Sequence, residues 1–443
     1  MRRELYEHYF NGKKVTVMGL GLLGRGVGDT AFLAEHGAEL IVTDKKEKES
    51  LMSSLTLLEQ YTSITYSLGG HRYEDFEGRD FILKAAGVPY DSEYITHARE
   101  RGIQIYMSAA LLSHIVKRHS EGVTIIGVTG TRGKTTVTEL IAHILRQTGF
   151  RVHVGGNVRG VANLPLLEGI EEGDFLLMEL DSWQLQGFGD LKISPNIAVF
   201  TSFMDDHMNY YKNDKELYFC DKANIYRYQE EYDVLVAGSH VADVIRAHDP
   251  QVSPIVPEEG HYETSLIGTH NQLAVSLAYE VALQCGLEDE EIRKAITTFN
   301  GVEGRLQDLG LYKNGTVRVF NDNNATTPDA TIAALRAITA TYNKQPILIT
   351  GGTDKGLPLE MLEQEIASHT KACVFLQGTG TDRFTLTQVH SFETLAECVQ
   401  EAFTLAHDGD IILFSPAFAS FSKEFNNEYE RNDLFVEETK KFL

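Results

Sequence analysis

The sequence predicts an α/β protein with three domains, each built around a mostly parallel sheet. The chain has 443 residues, too many for one hydrophobic core, and at about 150 residues per domain this length predicts roughly three domains. Short apolar runs alternate with segments of helical periodicity, as in strand–helix–strand units. Many of these runs end in glycine or other small residues, which is typical of strands whose carboxyl ends bind ligands.

The first predicted domain spans residues 1–118. A strand at 14–18 is followed by the turn Gly19-Leu20-Gly21-Leu22-Leu23-Gly24, and the next strand ends at Asp44. A Gly-x-Gly-x-x-Gly turn with an acidic residue about twenty positions later is typical of a Rossmann-like nucleotide site. Since no hydride-transfer site lies nearby, we interpret the turn as a site for a nucleotide diphosphate. An NAD enzyme is the alternative at this point.

The central predicted domain, residues 119–303, contains a phosphate-binding loop. A β-branched strand leads into Gly130-Thr131-Arg132-Gly133-Lys134-Thr135-Thr136, and helical spacing follows. Backbone N–H groups and a helix N-terminus can bind phosphate there, while Lys134 reaches the transferred phosphate and Thr135 can ligate Mg²⁺. The usual template would place its first glycine at Val128, so this loop is a variant. It predicts a P-loop-type ATPase domain with a mostly parallel sheet.

Two later strands of this domain end in side chains that can ligate metals. Glu179 ends a buried strand, and Asp206 and His207 follow the next one. A carboxylate is costly to bury unless it is paired or holds a metal, and Mg²⁺ usually takes one or two protein ligands plus water and phosphate. We therefore predict a magnesium site beside the loop, although a lone histidine is more often an ordinary core or surface residue.

Residues 214–231 are predicted to form a helix after this site. Its spacing indicates a buried face with Leu217, Cys220 and Ile225. Lys222 on such a helix would ordinarily be a solvated charge.

The third predicted domain, residues 304–443, is a doubly wound Rossmann-like domain. Its four predicted strands lie at 317–320, 346–349, 373–376 and 410–414. Each strand ends in a loop of small residues, so the functional edge should lie at the strands' carboxyl ends.

Composition excludes several classes of function. A formal net charge of −23 argues against a general nucleic-acid binder, which needs a basic surface. No apolar run approaches the roughly 20 residues that span a bilayer, and the first residues lack the apolar core of a signal peptide. The four cysteines show no Cys-x-x-Cys pair. We therefore expect a cytoplasmic protein without a membrane span and with reduced cysteines.

Taken together, these motifs resemble the Mur ligase family, and most closely its D-glutamate-adding members. The resemblance covers nearly the whole chain and rests on motifs in the family's order: Gly19 to Asp44, Thr129 to Thr136, Gly155-Gly156-Asn157, Glu179 to Leu185, Asp206-His207, Lys222, His270-Asn271, Arg305, Asn321-Asp322 with Ala325-Thr326, Gly351-Gly352 with Lys355, and Ser415 to Ser420. It implies an ATP-dependent ligase of peptidoglycan synthesis. ATP would phosphorylate the carboxylate of UDP-N-acetylmuramoyl-L-alanine, and the amine of D-glutamate would attack the acyl phosphate.

The resemblance also implies roles for individual residues. The ATP phosphates would be held by Gly130, Thr131, Gly133, Lys134, Thr135 and Thr136, and the rest of the nucleotide by Asn271, Arg305 and Asp322. One Mg²⁺ would be held by Thr135 and Glu179, and a second by His207 and a carbamylated Lys222. The UDP part of the substrate would be bound by Gly21, Leu22, Leu23, Asp44 and Lys45, and its muramoyl part by Asn157. D-glutamate would be bound by Thr326, Lys355 and Ser420. Catalysis would depend on Lys134, Glu179, His207 and Lys222, and we expect a monomer whose domains close over the site.

The chain departs from the family pattern at several positions. Asn324 replaces the usual Lys, Gly304 the usual His, Ala274 the usual Asn and Asp181 the usual Ser. Two alternatives therefore stay open: a catalytically impaired nucleotide-binding relative, and a Mur ligase with a different acceptor. A folate polyglutamating relative is disfavoured because that group lacks the N-terminal Rossmann-like domain.

Overall fold

The computed structural model describes residues 1–22, 24–258, 260–387, 390–420, 424–425 and 427–443, without the side chains of Thr269 and His270. The described residues form three sheets, and the predicted three-domain α/β fold is confirmed. It divides into two compact units: Met1–Glu258 with Ser276–Ile292, and Glu259–Val275 with Arg293–Leu443. The predicted boundaries after residues 118 and 303 stay predictions. Among the described residues, no helix is both long and apolar enough to cross a lipid bilayer.

The first sheet is parallel and has the strand order β3-β2-β1-β4-β5. Its elements are β1 (Lys14–Met18), α1 (Arg25–Glu35), β2 (Glu39–Asp44), α2 (Met52–Thr56), β3 (Ile64–Leu68), β4 (Phe81–Lys84), α3 (Glu93–Glu100), β5 (Gln104–Tyr106) and α4 (Ser108–His119). Val15 and Leu40 on the sheet belong to the same apolar core as Phe32 and Leu33 on α1. The strand order reverses between β1 and β4, and ligands bind at such points in open α/β sheets.

The central sheet is also parallel, in the order β10-β9-β6-β8-β7. Its elements are β6 (Thr124–Thr129), α5 (Lys134–Gln147), β7 (Val152–Gly156), α6 (Leu166–Gly169), β8 (Phe175–Glu179), α7 (Ser182–Leu191), β9 (Ile197–Phe200), α8 (Lys215–Ala223), β10 (Val234–Ala237) and α9 (Ser239–His248). Two helices follow, α10 (Thr269–Gln284) and α11 (Asp289–Thr297). β6 lies between β8 and β9, with Val128 paired to Glu179 and Thr129 paired to Phe200. The phosphate-binding loop therefore leaves the sheet beside the ends of both neighbouring strands.

The third sheet has six strands in the order β11-β12-β16-β13-β14-β15. Its elements are β11 (Gln307–Tyr312), β12 (Val317–Asn321), α12 (Pro328–Tyr342), β13 (Ile347–Gly351), α13 (Glu360–His369), β14 (Ala372–Leu376), β15 (His390–Phe392), α14 (Leu395–Leu405), β16 (Ile411–Phe414) and α15 (Glu428–Lys440). Short 3₁₀ helices lie at Arg3–Leu5, Glu7–Tyr9, Lys48–Leu51, Tyr73–Phe76 and Thr381–Arg383. All four predicted strands are present, but the sheet is mixed because β11 pairs antiparallel with β12.

The antiparallel pair is joined by a tight turn. Lys313, Asn314 and Gly315 have φ values of 52°, 58° and 80°, a left-handed conformation that asparagine and glycine tolerate best. The predicted doubly wound arrangement is thus correct for the parallel strands and incomplete at this edge.

Candidate active site

The phosphate-binding loop connects β6 to α5 and needs glycine at two positions. Gly133 has φ 83° as the residue before α5, a left-handed conformation that favours glycine. Gly130 has φ 148°, and a Cβ atom there would lie 2.0 Å from Oγ1 of Thr201. The loop therefore lies so close to the end of β9 that only glycine fits, and Thr135 and Thr136 fall in the first turn of α5.

A short segment after β9 supports this loop. The carbonyl of Ser202 accepts a hydrogen bond from the backbone N–H of Thr131 at 2.8 Å. The hydroxyl of Ser202 accepts one from the N–H of Arg132, also at 2.8 Å. Ser202 was not predicted as a site residue, because its role depends on pairing with a segment seventy positions away.

Lys134 lies against its own loop. Its Nζ donates to the carbonyl of Gly130 at 3.0 Å and to that of Thr131 at 3.4 Å. A cation at the N-terminus of α5 adds to the positive end of the helix dipole, so this loop can bind an anion.

Lys222 is buried under the same loop. Its side chain is 1% exposed, and Nζ donates to the carbonyl of Gly130 at 3.0 Å and lies 3.4 Å from Oγ1 of Thr129. The Nζ atom also lies 4.9 Å from the ring centre of Tyr218. Burial, and then the positive charge of Lys134, hold the pKa of Lys222 well below its usual 10.5. A solvated Lys222 is excluded, and its amine is prone to be neutral.

The predicted buried face is therefore wrong for Leu217 and Cys220 and right for Ile225, which is buried just after α8 ends at Ala223, so the helix is also shorter than the predicted 214–231. The buried residues of α8 are Tyr218, Phe219, Lys222 and Ala223, whereas Leu217 is 53% exposed and Cys220 is exposed. Tyr218 and Phe219 stand four residues before Lys222 and Ala223, which is the spacing of one helical face. The sequence thus contains the pattern of the true buried face, but a lysine in that pattern is ordinarily interpreted as exposed.

Glu179 ends β8 directly beside the loop. Its side chain is 4% exposed, and we find no ion pair or side-chain hydrogen bond for it among the described residues. Burial raises the pKa of the Glu139 carboxyl, and the negative charge of Glu179 adds to this rise. A buried carboxylate in this position fits a cation, because it would otherwise be costly to desolvate.

His207 lies beyond β9 with a left-handed backbone, φ 55°. Its ring centre is 4.7 Å from that of Trp183. Burial lowers the pKa of His207, and Asp206 opposes this shift. The neutral imidazole is the form that ligates metals.

The metal-ligating side chains do not form a dense cluster. In the part of the chain that is described, no group of three or more His, Cys, Asp and Glu side chains gathers at one point. Mg²⁺ needs only one or two protein ligands beside phosphate and water, so Thr135 and Glu179 fit this ion.

The glycine turn of the first domain meets the end of β2. The N–H of Gly21 donates to Oδ2 of Asp44 at 3.2 Å, and the N–H of Lys46 donates to Oδ1 at 2.9 Å. Leu22 and Lys45 are exposed, while Leu23 lies outside the described residues. Asp44 is therefore brought to the turn, as its spacing predicted.

Asn157 follows β7 and lies against β8. Its backbone N–H donates to the carbonyl of Glu179 at 2.7 Å. Its Oδ1 accepts from Nη1 of Arg25 at 2.7 Å. Arg25 is the first residue of α1, so Asn157 is held between the first and the central sheets.

In the second unit, Asp322 is buried at the end of β12. Its Oδ1 accepts from the N–H of Leu306 at 2.9 Å and its Oδ2 from the Ser415 hydroxyl at 2.9 Å. Burial raises the pKa of Asp322 to about 7, and Arg305 is among the groups that oppose the rise. Asn271 donates its Nδ2 to the carbonyl of Ile267 at 2.7 Å.

Two of the three residues predicted for the amino-acid substrate are in contact. Nζ of Lys355 donates to Oγ1 of Thr326 at 2.9 Å. Beside them is a shallow depression, partly open to solvent, that is lined by Pro328, Asp354, Lys355, Leu357, Ala417 and Phe418. Ala417 has φ 65°, and such backbone strain is common at functional sites. Ser420 is also buried.

A buried arginine, which was not predicted, organises the loops around this depression. Arg431 on α15 is 1% exposed. Its Nε and Nη2 donate to Oδ1 and O of Asn323, both at 2.8 Å, and its Nη1 donates to the carbonyl of Phe418 at 3.3 Å. Arg431 thus links the loop after β12 to the loop after β16. Only three-dimensional packing identifies this role, because on a helix the residue has the pattern of a surface charge.

The departures from the family pattern have local explanations. Asp181 is the N-cap of α7 and forms a capping box with Gln184, a role that Ser fills equally well. Gly304 has φ 66°, and a Cβ there would lie 3.1 Å from Nδ2 of Asn324. Ala274 is buried in the α10 helix.

The fold and these contacts define a class of protein: an α/β protein whose central sheet presents a glycine-rich, lysine-containing loop beside a buried carboxylate. Three family models match the chain. They are the Mur ligase MurD-like N-terminal domain over residues 13–107, the Mur ligase middle domain over residues 128–253, and the Mur ligase glutamate ligase domain over residues 304–418. The chain belongs to the Mur ligase family, and the resemblance seen in the sequence is confirmed.

Curated relatives extend this match over the whole chain. The chain is 33% identical to UDP-N-acetylmuramoylalanine--D-glutamate ligase of Roseiflexus sp. strain RS-1, over 96% of this chain and 97% of that protein. It is 30% identical to the ligase of the same name from Borreliella afzelii, over 95% and 96%. Mur ligases use ATP. The match to these two relatives covers at least 95% of this chain and 96% of each relative.

Solved structures support the fold. UDP-N-acetylmuramate-alanine ligase MurC from Thermotoga maritima has a TM-score of 0.62 at 17% identity and covers 97% of this chain and 99% of its own. MurF ligase from Thermotoga maritima, solved with ADP, has a TM-score of 0.60 at 15% identity, covering 99% and 96%. These likenesses concern the fold alone.

Proposed function

We propose that the protein is an ATP-dependent ligase that joins D-glutamate to UDP-N-acetylmuramoyl-L-alanine in peptidoglycan synthesis. The observation that carries this proposal is the buried Lys222 amine held against Gly130 of the phosphate-binding loop. Lys222 is 1% exposed, and an apolar residue would stabilise the fold at least as well in this position. A buried lysine beside a loop of this kind therefore indicates a functional role. The D-glutamate-adding activity is that of the relatives named above.

The reaction proceeds in two steps. The substrate carboxylate attacks the γ-phosphorus of ATP, which releases ADP and forms an acyl phosphate. The amine of D-glutamate then attacks the acyl carbon, and phosphate leaves as the amide forms. Phosphoryl transfer needs mainly positioning and charge neutralisation.

The chain's own residues have separate tasks in this scheme. Lys134 and the N–H groups at the start of α5, from Gly133 to Thr136, would hold the β- and γ-phosphates, since the N–H groups of Thr131 and Arg132 already donate to Ser202. Thr135 and Glu179 would hold Mg²⁺, which when bound neutralises charge on the phosphates. Lys355 and Thr326 would receive a carboxylate of D-glutamate. Asn271, Arg305 and Asp322 stay proposed for the adenine nucleotide, and Ser420 for the amino acid.

Lys222 is proposed to carry a carbamate. Its neutral amine would add to CO₂ and release one proton, giving an anionic oxygen ligand for a second cation with His207. The lowered pKa of Lys222 supports this step because only the free amine reacts.

Phosphate release tests the proposal. Wild-type protein with ATP and Mg²⁺ should release phosphate only when both UDP-N-acetylmuramoyl-L-alanine and D-glutamate are present. L-glutamate, D-aspartate, L-alanine and diaminopimelate serve as the acceptor panel. Release with another amino acid would indicate a different acceptor. ATP binding without release for any acceptor would indicate an impaired relative, the alternative suggested by Asn324 and Gly304. The cytoplasmic location and the monomeric state stay predictions.

A further inference from the structure

One face of α1 packs on the loop that carries Asn157. Arg25 donates its Nη1 to Oδ1 of Asn157 at 2.7 Å. One turn later, Oδ1 of the buried Asp29 accepts from the N–H of Leu164 at 2.8 Å. Gly28 lies between them, and a Cβ atom there would come within 2.5 Å of the Ala162 side chain. The helix and the 157–164 loop are therefore in close contact along one helical face.

The Arg25 contact determines the orientation of the Asn157 side chain. A guanidinium can only donate hydrogen bonds, so the carboxamide atom that faces it must be the oxygen. The amide nitrogen then lies on the other side, with two N–H donors. Among the described residues we find no acceptor for this nitrogen. The backbone of Asn157 is fixed as well, because its N–H donates to the carbonyl of Glu179 at 2.7 Å.

We propose that Arg25 is a positioning residue that holds the Asn157 carboxamide with its NH₂ group directed to an oxygen atom of the UDP-linked substrate. This inference rests on the proposed function, in which Asn157 binds the muramoyl part. Arg25 stands one residue after the glycine turn, so a single side chain couples the turn of the first domain to a substrate-binding residue of the central domain.

The test is a mutant cycle on the full-length protein with three Michaelis constants as readouts. Arg25→Met keeps an unbranched stem of somewhat shorter length and removes the donors of the side chain. We expect the KM for UDP-N-acetylmuramoyl-L-alanine to rise about tenfold, the effect of one charge-assisted hydrogen bond. The constants for ATP and D-glutamate and the melting temperature should stay near the wild-type values. Arg25→Lys, which retains a donor, should recover part of the loss.

Two further variants separate positioning from direct binding. In an Asn157→Ala background, Arg25→Met should change the same KM by less than about twofold, because contributions made through one partner are not additive. The Asn157→Asp side chain can still accept a hydrogen bond from Arg25 but has no amide donors. This variant should therefore raise the KM for the UDP substrate at least as much as Asn157→Ala does. Arg146→Met is the matched control, since Arg146 is exposed on α5 and donates to the carbonyl of Val152 at 3.1 Å.

Each outcome decides the inference. An equal rise in KM in both backgrounds would mean that Arg25 contacts the substrate itself and would overturn it. If Arg25→Met lowered kcat, raised all three Michaelis constants and lowered the melting temperature together, Arg25 would have only a structural role, and the inference would be overturned. An unchanged KM in Arg25→Met would also refute the inference while leaving the proposed function intact. If wild-type protein releases no phosphate with the UDP substrate, the proposed function itself is wrong. This result is obtained before any variant is measured, so it is distinguished from a failure of the Arg25 inference.

Discussion

Replacing Lys222 is the most informative single perturbation, because its buried position allows two distinct effects. Lys222→Ala removes a donor at 3.0 Å from the Gly130 carbonyl and one at 3.4 Å from Thr129. Each lost hydrogen bond destabilises by about 1 kcal/mol. Removing an amine whose burial is itself costly offsets part of this loss. Truncating a side chain that is 1% exposed also leaves a cavity, so the net loss in unfolding free energy should be about 2–4 kcal/mol.

The effect on catalysis is separate from this loss of stability. If Lys222 is carbamylated, the Ala variant lacks an anionic oxygen beside the phosphates. We expect kcat to fall at least about 100-fold, or about 2.7 kcal/mol in the barrier. Lys222→Arg should be no better, because arginine keeps its positive charge and forms no carbamate. Added acetate or formate should partly restore Lys222→Ala by placing a carboxylate in the vacated space.

The assay combines phosphate release with detection of the modification. Wild-type protein supplied with ¹³C-bicarbonate should show a carbamate carbon signal that both variants lack. The matched control is Lys215→Ala on the same helix, since Lys215 is exposed and pairs with Asp205 at 2.7 Å. Full activity of either Lys222 variant, or a wild-type protein without the carbamate signal, would refute the reasoning.

Three other lysines give predictions of different kinds. Lys134→Ala should abolish turnover without unfolding the protein, because it removes several kcal/mol of charge stabilisation from the transferred phosphate; an unaltered kcat at saturating ATP contradicts this role. Lys355→Ala should raise the KM for D-glutamate by roughly 30-fold or more, as expected for losing about 2 kcal/mol or more from a charge pair; a change confined to the KM for ATP would assign Lys355 to the nucleotide. Lys84→Met concerns pH. Lys84 is buried at the end of β4, donates to the carbonyls of Ala85 and Val88, and has a pKa lowered by burial from 10.5 to about 7. Between these values the unfolded chain binds a proton that the folded chain lacks, so wild-type stability should rise with pH by up to about 1.4 kcal/mol per unit more than that of the variant. Urea unfolding from pH 7 to pH 10 measures the two slopes, and parallel curves would disprove the buried-lysine argument.

The ends of the strands were predictable from the sequence. β6 and β8 are short apolar runs followed by glycine or by a lone carboxylate, and both signals are local. The loop residues Gly130 to Thr136 and the strand end at Glu179 therefore lie where the pattern predicted. The contact between Lys355 and Thr326 also agrees with their common assignment to the amino acid.

Residues whose role depends on distant packing were not predictable in the same way. Arg25 acts on Asn157 across 132 positions, and Arg431 acts on Asn323 across 108. No local periodicity encodes such pairs. β11 is a different case, since Asn314-Gly315 is a recognised hairpin signal, but Asp308 and Gly310 within β11 weaken its strand pattern.

The β11–β12 hairpin has a consequence for how the third domain folds. Among the described strands it is the only antiparallel pair, and residues 313–316 suffice to close it. Hairpins form in about 1–10 μs, whereas parallel pairs must first close long crossovers and form slowly. We expect the amides of β12 to be protected early through pairing with β11. The pairing of β12 with β16, which lies some ninety residues away in the chain, should form later. Pulsed hydrogen exchange should show amides of β11 and β12 protected before those of β13 and β16, and simultaneous protection would contradict this order.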